Sequence, residues 1–111
     1  MDKKNFFQNY FNKISTNLNL VDQKLLFKSV DLVKRTKKKN NKIIIVGNGG
    51  SAAMASHVAV DFTKVGGIRA VNFNEADLIT CFANDYGYEN WVLKALNFYA
   101  DENDLVILIS S

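Results

Sequence analysis

The sequence predicts an α/β fold built on a parallel sheet. Short β-branched runs that read as buried strands alternate with longer stretches in which apolar residues recur every three or four positions, as they do in helices. Strands that alternate with helices along a chain usually form a parallel sheet with helices on its faces. At 111 residues, 48% of them hydrophobic and 23% charged, the chain has a globular composition and the length of one domain at most.

Two amphipathic helices are predicted ahead of the first strand, over residues 2–17 and 20–38. A chain of this size cannot bury all of their aromatic and aliphatic side chains, so we expect residues 1–40 to be a helical segment that contributes to an interface between subunits. The apolar positions of the first helix are spaced three or four apart: Phe7, Tyr10, Phe11, Ile14 and Leu18.

The remaining elements follow in order. "KIIIVG" has the β-branched composition of a strand buried on both faces, and Ser51 is a good residue to begin the helix after it. "VGG" ends that helix, and "IRAVNF" gives a second strand. The predicted ranges are a strand over 42–47, a helix over 51–64, a strand over 68–73, helices over 75–84 and 91–100, and a third strand within 101–111.

The chain stops at the tip of its third predicted strand. Open sheets usually have about four to six strands, and ligands of such sheets bind in the loops at the carboxyl ends of the strands. Ser110 and Ser111 would begin a loop of that kind. We therefore expect the sequence to be the front half of a domain, truncated after its third strand.

Charge and cysteine content narrow the classes of partner. The net charge is +3, and much of it comes from "KRTKKKNNK" at 34–42, which could contact a polyanion but more often is a solvated helix end that suits the helix dipole. We expect no nucleic-acid partner.

The single cysteine, Cys81, is expected to be a packed thiol in a reducing compartment. No signal peptide or apolar run of about 20 residues is found, so we expect a cytoplasmic protein that does not enter the membrane.

The bend "GNGGS" between the first strand and its helix is a candidate anion site. It brings backbone N–H groups and the positive end of a helix to one point, while Gly47, Gly49 and Gly50 allow the close backbone approach that a phosphate needs. Asn48 and Ser51 add an amide and a hydroxyl. The alternative is that the glycines only make a tight turn.

The same glycines loosely match a dinucleotide-binding fingerprint. Gly47, Gly49 and Ala52 fall on G-x-G-x-x-A, but the second strand is followed by Asn72 and Asn74 instead of the acid that would bind a ribose. We expect no nucleotide cofactor, and a dinucleotide-dependent oxidoreductase remains the weaker alternative.

His57 and Asp61 are four residues apart and therefore share one face of the predicted helix. Such a pair can contribute to a divalent metal site, or the carboxylate can orient the imidazole for proton transfer. A purely structural pair is the competing interpretation. Two ligands do not complete a zinc site, which takes three or four from the protein.

Three segments, "VGNGGSAAMASHVAVDFT", "DLITCFANDYGYEN" and "DLVILISS", resemble the sugar isomerase (SIS) domain family, in its phosphoheptose isomerase branch. The G-N-G-G-S turn, a histidine six residues after the serine, and the later N-D-x-G carry the resemblance, which covers essentially the whole chain. It implies a three-layer αβα sandwich with a flavodoxin-like open parallel sheet, of which residues 41–111 would be the N-terminal part.

The resemblance also implies roles for individual residues. The first loop and a serine-rich loop would bind the substrate's phosphate, Asp85 would lie near its hydroxyl groups, and the helix pair would serve catalysis and zinc binding. The implied substrate-binding residues are Asn48, Gly49, Gly50, Ser51, Asp85, Ser110 and Ser111, and the implied catalytic and metal residues are His57 and Asp61.

The implied function is a phosphosugar isomerase that converts sedoheptulose 7-phosphate into D-glycero-D-manno-heptose 7-phosphate for surface polysaccharide synthesis, as a homodimer or homotetramer with zinc as a cofactor. Asp61 departs from the family's glutamate and is one methylene shorter. The family's second catalytic histidine has no counterpart, because His57 is the only histidine here. We therefore expect an incomplete isomerase, and a non-catalytic sugar-phosphate-binding or scaffold protein is the alternative.

Overall fold

The computed structural model describes residues 3–111, which fall into two compact units that meet in sequence between Val30 and Asp31. The helix and strand ends lie within four residues of those expected. In order, the elements are α1 (Phe6–Asn19), α2 (Gln23–Lys38), β1 (Ile43–Gly47), α3 (Gly50–Lys64), β2 (Ala70–Val71), α4 (Ala76–Tyr86), a 3₁₀ turn (Tyr88–Asn90), α5 (Trp91–Tyr99) and β3 (Leu105–Ile109).

The first unit contains α1 and the beginning of α2. The start of α2 is set by Asp22, whose carboxylate accepts a hydrogen bond from the backbone N–H of Lys24 at 2.8 Å, as an N-cap residue does. The apolar side chains of this unit are exposed, with 67% of Phe7 and 69% of Phe27 accessible to solvent. They make ring contacts with one another along α1, such as Phe7 with Phe11 at 6.3 Å between centroids.

The second unit contains a parallel sheet with the strand order β2-β1-β3. The central strand β1 is buried along its whole length, as its composition predicts. Its alternate side chains point to opposite faces. Ile43 and Ile45 pack with Ala55 and Ala59 of α3, whereas Ile44 and Val46 pack with residues of α5 and the loop before α4, chiefly Phe73, Trp91 and Ala95.

This arrangement confirms the predicted α/β class: helices cover both faces of a parallel sheet. Strand β2 is shorter than the expected range of 68–73, because the backbone groups at both ends of that range have other partners. The N–H of Ile68 donates to the carbonyl oxygen of Phe62 at the end of α3. At the other end, the side chain of Asn72 accepts the N–H of Asn74 at 2.8 Å and turns the chain.

The amino-terminal edge of the sheet is tied together by Asp104, which precedes β3. Its side chain is 2% exposed and lies 2.5 Å from Nζ of Lys42. It also accepts hydrogen bonds from the backbone N–H groups of Lys42 at 3.0 Å and Asp101 at 2.8 Å, and from the side chain of Asn41 at 3.1 Å. Burial opposes the ionisation of Asp104, but these hydrogen bonds outweigh it and lower the pKa of its carboxyl group.

Candidate functional site

The turn from β1 into α3 is only two residues long, and two glycines make it possible. A Cβ added to Gly47 would lie 2.6 Å from the carbonyl carbon of Ser51, so only glycine lets the end of the strand approach the helix this closely. Gly49 has φ of +55°, a conformation that side chains with a Cβ rarely adopt. The bend is therefore built to bring the first turn of α3 against the tip of the strand.

The first turn of α3 presents backbone donors. The N–H of Ser51 bonds to the carbonyl oxygen of Asn48 at 2.9 Å, and that of Ala53 bonds to Gly49 at 3.1 Å. Within the described part of the chain, Gly50 and Ala52 are left as the first-turn amides without a backbone acceptor. No side chain caps this helix end. Unpaired amides and the positive end of the helix dipole together favour an anion.

A cleft of about 430 Å³ opens beside this turn. Strand β3 pairs with β1 so that Ile109 lies opposite Gly47, and this register places the residues after β3 next to the bend. Among its lining residues are four of the predicted substrate-binding residues: Asn48, Ser51, Ser110 and Ser111. Gly49 and Gly50 form the bend itself.

The structure places Asp85 outside this group. It lies in the last turn of α4, where its carboxylate accepts hydrogen bonds from the side chain of Asn84 at 3.1 Å and from the thiol of Cys81 at 3.7 Å. It does not line the cleft. Its assignment to the sugar hydroxyls remains a prediction.

His57 and Asp61 lie on the outward face of α3. Nε2 of His57 is 3.4 Å from Oδ2 of Asp61, and their side chains are 80% and 58% exposed. They are neighbours, as their spacing predicts, but neither lines the cleft beside Ser51. Asp61 instead borders a separate apolar depression with Val58 and Phe62.

These two residues do not make a zinc site by themselves. Among residues 3–111 there is no group of three or more histidine, cysteine, aspartate or glutamate side chains placed to hold a metal ion. Zinc takes three or four protein ligands, so the donors described do not fit that ion without additional ones. Zinc remains a prediction.

The expectation of a packed thiol at Cys81 is wrong. The side chain is exposed, because Cys81 lies on the outer face of α4. The negative charge of Asp85, with partial desolvation and the hydrogen bond to Asp85, raises the pKa of the thiol. A thiol that ionises less readily is a poorer nucleophile.

One cleft contact was not expected from the sequence. Tyr88 donates a hydrogen bond from its hydroxyl to Oδ1 of Asn48 at 3.1 Å. The two residues are forty positions apart, the sequence between them carries no pattern that links them, and the packing of α5 against β1 brings them together. Asn74 is one of the two residues at the ribose position of the dinucleotide alternative. Its side-chain NH₂ donates hydrogen bonds to the carbonyl oxygen of Ala52 and the hydroxyl of Ser56 in α3.

The basic run at the end of α2 is partly engaged within the protein. Nζ of Lys37 donates to the carbonyl oxygen of Gly66 at 2.8 Å, and Nζ of Lys39 donates to the side chain of Asn103 at 2.6 Å. These contacts favour the interpretation of a helix end over a polyanion site. Over residues 3–111, none of the helices has both the length and the apolar character required to cross a bilayer.

No protein-family model matches the chain, but its sequence is similar to those of several phosphoheptose isomerases. Phosphoheptose isomerase from Helicobacter pylori strain 26695 is 37% identical over 95 residues, which are 80% of this chain and 50% of the relative. The enzyme from Fusobacterium nucleatum is 37% identical over 78 residues, or 66% of this chain and 40% of the relative. The enzyme from Thermodesulfovibrio yellowstonii is 32% identical over 93 residues, or 78% and 46%.

A solved structure agrees with these relatives. The fold matches that of phosphoheptose isomerase from Neisseria gonorrhoeae with a TM-score of 0.81 and 25% identity, over 100% of this chain and 61% of the other. The chain spans about half the length of the curated relatives it matches. In sequence and fold it is therefore a homologue of the phosphoheptose isomerases over the part of those proteins that it spans.

Proposed function

We propose that the cleft between the β1–α3 bend and the end of β3 binds the phosphate of a sugar phosphate. We further propose that the protein is a phosphoheptose isomerase, which converts sedoheptulose 7-phosphate into D-glycero-D-manno-heptose 7-phosphate in the cytoplasm, for surface polysaccharide precursors. One observation carries the proposal: four polar side chains line one cleft, and one of them, Ser51, lies between the two residues of α3 whose amides have no backbone acceptor.

The groups around the cleft suit a phosphate because they can donate hydrogen bonds. The hydroxyl groups of Ser51, Ser110 and Ser111 and the side-chain NH₂ of Asn48 are donors, and the amides of the first turn of α3 add more. Within residues 3–111 the cleft is lined by no charged side chain, so the helix dipole would balance part of the phosphate charge. Neutral donors of this kind bind a phosphoryl group while the sugar extends away from it.

The isomerisation moves a proton between two adjacent carbons, and this needs an acid and a base. In this proposal His57 exchanges the proton and Asp61 orients its imidazole. Both side chains face outward from α3, so they would act on a sugar held against that helix in an assembled protein. Zinc bound with further ligands would polarise the sugar oxygens.

The proposed assembly is a homodimer or homotetramer. Its support is the exposed apolar surface of residues 6–30, where side chains such as Phe7, Leu25 and Phe27 are between 61% and 69% exposed, since surfaces of this kind mark contact sites. Sedimentation equilibrium is expected to give a mass of at least two chains, and Phe7→Asp with Leu25→Asp is expected to lower it. A monomeric mass for the unmodified chain would contradict the proposal.

Phosphate binding is tested by replacing one donor. Ser51→Ala is expected to weaken binding of sedoheptulose 7-phosphate by about tenfold, because a hydrogen bond to a charged group contributes about 1.5 to 3 kcal/mol. Isothermal titration calorimetry measures the affinity. Ser29→Ala is the matched control, because it removes a hydroxyl that bonds to Leu25 within α2. Equal affinities of the unmodified chain and Ser51→Ala would rule out the assignment of this hydroxyl to the phosphate.

A non-catalytic sugar-phosphate-binding or scaffold protein is the second candidate. The position of His57 and Asp61 outside the cleft favours it, together with the shorter acid at position 61. A turnover assay with sedoheptulose 7-phosphate separates the two candidates. Formation of the heptose product supports the isomerase, and binding without product by the assembled protein supports the second candidate.

A further inference from the structure

A hydroxyl group from a distant part of the chain contacts a residue of the cleft. Tyr88 lies in the 3₁₀ turn before α5, and its Oη donates a hydrogen bond to Oδ1 of Asn48 at 3.1 Å. Val92, four residues after Tyr88, lines the cleft. The beginning of α5 therefore forms one wall of the cleft, and Tyr88 reaches the β1–α3 bend from that wall.

This hydrogen bond determines which end of the Asn48 amide is available. A carboxamide has an oxygen that only accepts hydrogen bonds and an NH₂ group that only donates them. Phosphate oxygens are acceptors, so they need the NH₂ group and are repelled by the oxygen. Within the described residues, Tyr88 is the one side chain that hydrogen bonds to the side chain of Asn48. Because its proton occupies Oδ1, Nδ2 is left for an anion.

We propose that Tyr88 is a positioning residue of the anion site, which holds the Asn48 amide with Nδ2 directed at the bound phosphate. The inference rests on the proposed sugar-phosphate cleft and adds a residue to it. Tyr88 is 56% exposed, so its hydrogen bond competes with water. Its contribution is therefore moderate, and its loss weakens binding without abolishing it.

Tyr88→Phe tests this role, because it removes the hydroxyl and keeps the ring. Titration calorimetry with inorganic phosphate and with sedoheptulose 7-phosphate is expected to show roughly fivefold weaker binding of both. Tyr86→Phe is the matched control, since it removes the same group two residues earlier, where the ring packs on Phe82. Its affinities are expected to equal those of the unmodified chain. Urea unfolding of both variants measures any general loss of stability.

A double-mutant cycle shows whether Tyr88 acts through Asn48. The variant Asn48→Ala is expected to lose affinity, and Asn48→Ala with Tyr88→Phe is expected to bind no more weakly than Asn48→Ala alone. Independent, additive losses would overturn the inference, because they would mean that Tyr88 acts without Asn48. Unchanged affinity in Tyr88→Phe would overturn it as well.

The outcomes also separate this inference from the proposed function. If the unmodified chain binds neither inorganic phosphate nor sedoheptulose 7-phosphate, the phosphate cleft and the role of Tyr88 are both wrong. If the unmodified chain binds them and the cycle gives no coupling, the cleft stands and the role of Tyr88 alone is wrong.

Discussion

Gly47→Ala is expected to lower the free energy of unfolding by about 3 kcal/mol, at the upper end of the cost of overpacking. The added methyl group would lie 2.6 to 2.7 Å from the backbone carbon, the carbonyl oxygen and Cβ of Ser51. Because two of these are backbone atoms, the first turn of α3 must move away from β1 to accommodate it. The same movement is expected to displace the amides of the bend and to weaken sugar-phosphate binding.

Gly50→Ala is the matched control, three residues further along. A Cβ on Gly50 has no neighbour within 4 Å, and Gly50 is the first residue of α3. Alanine there is expected to leave stability unchanged or to raise it by up to about 1 kcal/mol, since alanine is the better helix former. Urea denaturation of both variants measures the difference. Equal stabilities would mean that the close approach at Gly47 is not a requirement of the fold.

Asp104→Ala is expected to lower the free energy of unfolding by about 3 kcal/mol, the lower end of the range for breaking a buried ion pair by removing one partner. The substitution leaves Lys42 without its buried partner and removes the acceptor of two backbone N–H groups. Asp101→Ala is the control, because Asp101 also pairs with Lys42, at 2.7 Å, but is 78% exposed. An exposed pair contributes about 1 kcal/mol or less. Similar losses of unfolding free energy in the two variants would contradict the inference that the burial of Asp104 makes its ion pair the stronger one.

The stability supplied by Asp104 is also expected to depend on pH. The folded protein holds the pKa of this carboxyl group below its ordinary value, which is near 3.9 in unfolded chains. The contribution is therefore complete above about pH 4 and is lost as the pH falls toward the folded pKa. The difference in thermal unfolding midpoint between the unmodified chain and Asp104→Asn is expected to shrink as the pH falls from 5 to 2. If the difference between the two proteins stayed constant over that range, the ionised carboxylate of Asp104 would not be the source of the stability.

Much of the fold follows from local features of the sequence. The run of isoleucines at 43–45 predicted a strand buried on both faces, and all three side chains are fully buried. The glycine-rich bend predicted a phosphate-type loop before α3, and the pairing of β3 with β1 brings Ser110 and Ser111 to it. Parallel strands end at one edge of a sheet, so the meeting of these two loops could be inferred without coordinates.

Other features depend on contacts that no local pattern encodes. The hydrogen bond from Tyr88 to Asn48 and the ion pair of Asp104 with Lys42 join residues forty and sixty-two positions apart. The exposure of Cys81 was missed because an apolar stretch such as "LITCFAN" indicates a buried helix, whereas α4 packs on one side only. The side chains of His57 and Asp61 were paired correctly, but helical spacing does not tell which way their shared face points.

The alignment of β3 with β1 has a consequence for how substitutions far from the bend could affect ligand selection. Successive residues of a strand are about 3.3 Å apart and face opposite ways. If β3 slid by one position, the partly buried Ile107 would turn outward and the exposed Leu108 would turn inward. Ser110 and Ser111 would move by about 3.3 Å from their present places beside the bend. The packing of β3 in the apolar core therefore fixes where the hydroxyl groups of Ser110 and Ser111 lie relative to the bend.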